Sequence, residues 1–163
     1  MIKKIKKWLM NDIASLEIMP SKIRIAILNK CGAEIKASRI LPKCYFAGNR
    51  LFIGKNSTVN FSNKFDSEFA SISIGKNVGI GMNNLFLTTS HKMGGQNKRA
   101  GETFYAPIVI KDNCWLGSNI TICPGVTIEK GCVIASGSVV IENCQSNAFY
   151  AGVPAKLKRI IDK

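Results

Sequence analysis

IKDNCWLGSNITICPGVTIEKGCVIASGSVV, Ile110 to Val140, repeats with a period of six. Its first slot holds Ile110, Leu116, Ile122, Ile128, Ile134 and Val140, all large and apolar, and its fourth holds Asn113, Asn119, Gly125, Gly131 and Gly137. Gly, and after it Asn, accept a left-handed backbone conformation at low cost, so one of them every six residues means a turn every six residues. Only a short flat strand fits between such turns. The first-slot side chain then points inward to fill a narrow core, and each coil of chain buries the face of the next, as in a β-solenoid.

The beat extends upstream. IGKNVG, IGMNNL and FLTTSH, Ile74 to His91, place Ile74, Ile80 and Phe86 in the first slot and Asn77, Asn83 and Thr89 in the fourth; IGKNST and VNFSNK, Ile53 to Lys64, form a weaker version. Three surplus residues before Ile74 predict a bulged corner containing Asp66. After His91 the beat stops until Ile110, so residues 92–107 are expected to be an excursion looped out between coils, long enough to carry function. Cys114, Cys132 and Cys144 fall in the fifth slot. There a thiol serves as a small apolar plug rather than as a nucleophile or metal ligand.

A chain of 163 residues suffices for one domain and is too short to expect two. Leu is sparse while Ile, Gly and Asn recur, which favours an all-β fold with many turns. No uncharged apolar run approaches the roughly 20 residues that span a bilayer, and the basic start MIKKIKKWLM is not followed by a signal-peptide core. The expectation is a cytoplasmic protein with reduced thiols, with peripheral attachment at the inner face of the membrane left open. The net charge of +13 is concentrated at the ends: residues 1–50 hold eleven Lys and Arg against Asp12, Glu17 and Glu34, and Lys156, Lys158, Arg159 and Lys163 face Asp162 alone. Such a head and tail point to a polyanionic partner: nucleic acid, an anionic membrane surface or a phosphorylated cofactor. The head lacks aromatic residues spaced for base stacking, which disfavours nucleic acid. Ile2, Ile5, Trp8 and Leu9 lie near one helical face with lysines on the others, a pattern that suits either a membrane surface or packing on the end of an oligomer. Residues 1–34 are therefore read as a basic helical segment, 35–155 as the solenoid, and 156–163 as a basic tail with a short helix.

His91 is the single histidine, and it stands where the beat breaks. Its hexapeptide is irregular, with Thr89 in the turn slot and Leu87 where Gly is common. Departures from a local rule tend to mark functional sites. Neutral imidazole, with an ordinary pKa of about 6.5, suits proton abstraction near neutral pH. With one histidine the chain cannot assemble a three-histidine zinc site, and no metal is expected.

These repeats resemble the hexapeptide-repeat acyltransferases, whose fold is a left-handed parallel β-helix with three hexapeptides per triangular coil. The resemblance covers about Ile53 to Arg159. It extends to the sugar acetyltransferases of the maltose and galactoside types, in which a coil ends in a catalytic histidine, a loop follows, and a Pro-Ile-x-Ile segment leads into a repeat bearing tryptophan. The matching residues are His91, the loop with Gly101 and Glu102, Pro107 to Ile110, and Trp115; the tail AGVPAKLKRI, Ala151 to Ile160, is similar to the family's closing signature. The resemblance implies a homotrimer with acetyl-CoA, the co-substrate, in a groove between two subunits. Gly117, Ser118 and Ser136 would contact its pantetheine arm, and Lys156 and Arg159, sharing one face of the terminal helix, its phosphates. Trp115 would wall the thioester pocket or stack on a sugar, with interface packing as the alternative. Asn60, Asp66, Asn83 and Glu102 are the polar residues expected to face the acceptor near His91. One departure stands out: Ile141 and Glu142 occupy positions where relatives often carry Thr-Lys, which removes a phosphate contact expected there.

The implied reaction is transfer of acetyl to a sugar hydroxyl with His91 as general base. A helix followed by a short β-helix is similar to acetyltransferases of exopolysaccharide, capsule or lipopolysaccharide assembly, which makes a surface glycan or its precursor the first acceptor class. The alternatives are N-acetylation of an amino-sugar nucleotide, acetylation of a small soluble sugar or antibiotic, and a catalytically silent scaffold.

Overall fold

Leu116, Ile122 and Ile128 are all fully buried, yet each lies on a different face of a three-sided prism. The computed structural model describes residues 1–161. Its first face is a five-stranded parallel sheet of Glu34–Ile35, Leu51–Ile53, Ile72–Ile74, Ile108–Ile110 and Thr127–Ile128. The second face stacks Arg39–Ile40, Thr58–Val59, Gly79–Ile80, Trp115–Leu116, Val133–Ile134 and Ala148–Ala151 in the same sense. The third stacks Tyr45–Phe46, Lys64–Phe65, Leu85–Phe86, Thr121–Ile122 and Val139–Val140.

Register follows the hexapeptide slots. On the first face Ile35, Ile53, Ile74, Ile110 and Ile128 stand directly above one another. On the third, Phe46, Phe65 and Phe86 stack with ring centroids 5.5 and 4.7 Å apart. The solenoid thus begins at residue 34, and Ile40 and Phe46 are first-slot residues of a coil too irregular to recognise by its turns. Asn77, Asn83, Asn113, Asn119, Gly125, Gly131 and Gly137 all have positive φ, as the turn slot requires. Cys114, Cys132 and Cys144 are buried. The three surplus residues lie in the corner 66–71, where Asp66 was expected.

Two edges of the prism matter for function. Chain passing from the third face to the first forms the hairpin edge, made of residues 47–50, 66–71 and 87–107 in three successive coils. Chain passing from the second face to the third forms the serine edge, which contains Ser118 and Ser136.

Two sequence expectations need correction. The excursion is an antiparallel hairpin, Thr89–Met93 paired with Ala100–Tyr105, rather than a loop over residues 92–107. Its outgoing strand recruits Thr89, Ser90 and His91 because the partner strand offers them a full ladder of hydrogen bonds. The tail is not helical either: Lys156–Ile160 is a strand that folds back antiparallel on Ala148–Ala151. Ala148–Ala151 would otherwise end the second face as an open edge with unpaired N–H and C=O groups, and the tail covers it.

The basic head is helical as read. An α-helix, Ile2–Trp8, runs into a π-helical turn, Leu9–Ile13, and a second α-helix, Ser21–Lys30, follows. The buried Arg24 joins them to the solenoid, donating from Nε to the Ala14 carbonyl (2.5 Å), from Nη1 to Ile40 (2.6 Å) and from Nη2 to Leu16 and Met19 (2.8 and 2.9 Å). Asn11 mimics one more strand: its side chain accepts the Phe46 N–H at 2.7 Å and donates to the Phe46 carbonyl at 2.9 Å.

Candidate active site

His91 is the third residue of the outgoing hairpin strand, opposite Thr103. Its Nδ1 lies 3.1 Å from the Gly101 carbonyl oxygen and 3.4 Å from Thr103 Oγ1. A carbonyl can only accept, so Nδ1 carries the proton and Nε2 of the neutral ring keeps its lone pair. The ring is exposed.

Opposed residues of an antiparallel pair share a face, so His91, Thr103, Thr89 and Tyr105 lie on one side of the hairpin. Lys92 and Glu102 lie on the other, with Lys92 Nζ 2.8 Å from a Glu102 carboxylate oxygen. Glu102 therefore stands on the opposite face of the hairpin from the imidazole. Asp66 does sit at the hairpin's root: its Oδ2 accepts the Thr88 N–H at 3.2 Å, and the Thr88 hydroxyl donates to its backbone carbonyl at 2.5 Å. Phe69 of the same corner packs on Tyr105, ring centroids 4.7 Å apart, and both rings are about half exposed, 56% and 47%. Sequence reading missed this pair. Its signal was an aromatic in the bulged corner and another just before the beat resumes.

The residues expected to hold the cofactor occupy the opposite side of the prism. Trp115 projects from the second face, 62% exposed, in a column that runs Gly79, Trp115, Val133, Phe149, Arg159. The Arg159 guanidinium carbon lies 5.8 Å from the Phe149 ring centroid. A register shift in the tail strand sets Lys156 opposite Ala151 and Arg159 opposite Phe149. Those partners are two apart on one strand, so the two cations share a face although the helix invoked for that purpose is absent. Lys156 Nζ also reaches Glu142 at 3.3 Å, the residue flagged as a departure.

On the serine edge the Met82 N–H donates to Ser118 Oγ and the Ser118 N–H to Ser136 Oγ, both at 3.0 Å. A Cβ on Gly117 would come within 2.7 Å of the Ser136 nitrogen, so only glycine fits where the coils approach. Asn83 and Asn60 belong to this edge rather than beside His91 of their own chain. Asn83 has φ 57° and donates from Nδ2 to Asn119 Oδ1 at 2.6 Å; Asn60 Oδ1 accepts the Phe61 N–H at 2.8 Å. Both also meet local needs of the turn. A shallow cleft of about 250 Å³ follows the edge past Lys64, Asn83, Asn119 and Thr121.

The thiols offer no rival nucleophile. Burial pushes Cys44 up to about 11 and Cys144 up to about 12, and a hydrogen bond with Cys132, then burial, raises Cys114; the same bond lowers Cys132, which is fully buried and out of reach of a substrate. Among the described residues no three His, Cys, Asp or Glu side chains converge as a metal site, and no helix is long and apolar enough to cross a membrane.

The profile of the bacterial transferase hexapeptide family (six repeats) matches residues 107–142. A galactoside acetyltransferase solved in complex with coenzyme A superimposes with a TM-score of 0.82 at 30% identity, covering 99% of this chain and 81% of that one. The chain belongs to the hexapeptide-repeat acetyltransferases. A hexapeptide-repeat acetyltransferase of Vibrio cholerae O1 biovar eltor, complexed with acetyl-CoA, is similar with a TM-score of 0.83 at 28% identity, covering 99% and 86%. The galactoside O-acetyltransferase of Escherichia coli K12 is 36% identical over 122 residues, 74% of this chain. The chain spans 60% of that relative's length.

Proposed function

We propose that this protein transfers acetyl from acetyl-CoA to a hydroxyl group of a sugar, and that the sugar belongs to a surface glycan or its precursor. The observation that carries the chemistry is the contact between His91 Nδ1 and the Gly101 carbonyl, which leaves Nε2 as a proton acceptor. Acetyl-CoA supplies the acetyl group as an activated thioester. His91 Nε2 takes the proton of the attacking hydroxyl and returns it to the departing CoA thiolate, so the imidazole ends neutral.

The fit to the cofactor rests on the second face and its serine edge. Gly117 lets Ser118 and Ser136 pack closely along that edge, Trp115 stands open, and Lys156 and Arg159 present two cations on one side. His91, however, sits on the hairpin edge, across the prism from the second face. One chain cannot bring them together, which supports a homotrimer in which the hairpin of one subunit meets the cofactor strip of its neighbour. In such an assembly Asn60 and Asn83 would approach a neighbour's His91. Ile5 and Trp8, about half exposed among lysines, support peripheral contact with an anionic membrane, where glycan precursors are built.

Acceptor-dependent release of CoA from acetyl-CoA, followed with a thiol reagent over a panel of sugars and glycan precursors, tests the reading. Release confined to amines, or equal rates with and without His91, would overturn it.

A further inference from the structure

A cleft of about 510 Å³ lies between the first helix and the hairpin edge of the first coils, away from His91. Lys3, Lys4, Lys6 and Lys7 line it from the helix and Arg50 from the solenoid, over a floor that includes Met10 and Phe46. Glu68 is the one acidic residue in its wall. Among the described residues, none of the five cations has a carboxylate within ion-pairing distance; the three ion pairs present use Lys43, Lys92 and Lys156. Five like charges around a concave, partly apolar surface repel one another until an anion enters.

The cleft shares an edge with the candidate base. Its solenoid wall is the corner 47–50, the corner 66–71 stacks on that, and the hairpin of His91 springs from the next coil. Coils stack at strand spacing, so the cleft lies two coils, roughly 10 Å, from the hairpin root. Between them stand the half-exposed rings of Phe69 and Tyr105, on the His91 side of the hairpin. An aromatic pair of that kind suits the apolar face of a sugar ring.

We infer that the acceptor is a glycosyl diphosphate: its sugar rests on Phe69 and Tyr105 with a hydroxyl at His91, and its diphosphate occupies the lysine cleft. Cleft, aromatic pair and His91 hairpin follow one another along one edge, in the order that diphosphate, sugar ring and reacting hydroxyl require. The inference rests on the acetyl-transfer reading for its sugar and on the cleft alone for its phosphates. The diphosphate is carried by a nucleoside or by a lipid, and the apolar floor accommodates either.

Titration calorimetry with inorganic pyrophosphate, on the full chain saturated with acetyl-CoA, isolates the cleft from the cofactor strip. Wild type should bind, with affinity falling as salt rises. Lys6→Ala/Lys7→Ala/Arg50→Ala should weaken binding by about tenfold or more, and the milder Lys7→Gln/Arg50→Gln should do so in part with an unchanged melting curve. Binding that is abolished by acetyl-CoA, or equal in wild type and triple variant, overturns the inference. UDP and geranyl diphosphate are the second arm: tighter binding of UDP assigns a nucleotide-linked sugar, and of geranyl diphosphate a lipid-linked one. His91→Ala should leave every one of these affinities unchanged. Pyrophosphate binding without any acetyl transfer would therefore remove the proposed activity and leave the cleft standing.

Discussion

Gly101 contributes a backbone oxygen, and with it the direction in which the His91 ring can take a proton. His91→Ala should lower kcat about 100- to 10,000-fold, the usual worth of a positioned base, with little change in acetyl-CoA affinity; steady-state kinetics and cofactor titration check both. Asp66 works one step back, holding the strand that carries the ring through Thr88. Asp66→Ala should cost about 1–3 kcal/mol, as for a lost bond to a charged acceptor. It should also lower kcat more than it raises the KM for acetyl-CoA, whereas Asp66→Asn, which can still accept from the Thr88 N–H, should recover much of the rate. His91 could be singled out as the proposed base because a lone histidine interrupted a regular pattern. The role of Gly101 could not be, because a carbonyl has no residue signature and its position depends on cross-strand register.

At the scale of the element, a hexapeptide is a strand followed by a turn whose fourth residue must be left-handed. Asn83 meets that demand and also bonds to Asn119 one coil away. Asn83→Ala should destabilise by about 1–2 kcal/mol in denaturant unfolding, since the strained backbone and the lost bond add. Asn83→Gly should lose less, because it relieves the strain. Buried thiols add a pH dependence. Cys44 and Cys144 are raised in the folded state to about 11 and about 12, so below the ordinary thiol value the fold keeps their full contribution. As pH climbs from about 9 through those values the unfolded chain releases protons that the native state retains, and stability falls. Denaturation midpoints measured across that range should decline, and less steeply in Cys44→Ala. Such local demands explain why the solenoid could be read from Ile110 onward with little error. The hairpin and the tail strand escaped because both are antiparallel additions, formed wherever a free backbone edge finds a partner, and a period of six says nothing about that.

At the scale of the whole molecule, the prism separates the proposed base from the proposed cofactor strip, and the trimer proposed to reunite them can be tested by mixing chains. Co-expression of His91→Ala with a chain whose strip is blocked at an exposed position, such as Ser136→Trp, yields trimers in which some sites combine one intact hairpin with one intact strip. Random assembly predicts about a quarter of wild-type activity from two inactive parents; a site contained in one chain predicts none. In the same assay Lys156→Ala/Arg159→Ala should raise the KM for acetyl-CoA and leave kcat nearly intact, because a phosphate contact acts equally on ground and transition states. Dephospho-acetyl-CoA should show the converse, losing affinity for wild type and little for the variant. The stack itself has one further property. Ile74 and Ile110 sit directly one above the other although 35 residues separate them, against 17 between Ile110 and Ile128. Doubling a closed loop costs only about 0.6 kcal/mol. The frame is thus nearly indifferent to what is spliced into that margin, and along it the chain holds segments of four, six and twenty-one residues in successive coils. Selection can lengthen, trim or exchange those segments, and so redirect which acceptor is served, without renegotiating the packing of a single isoleucine.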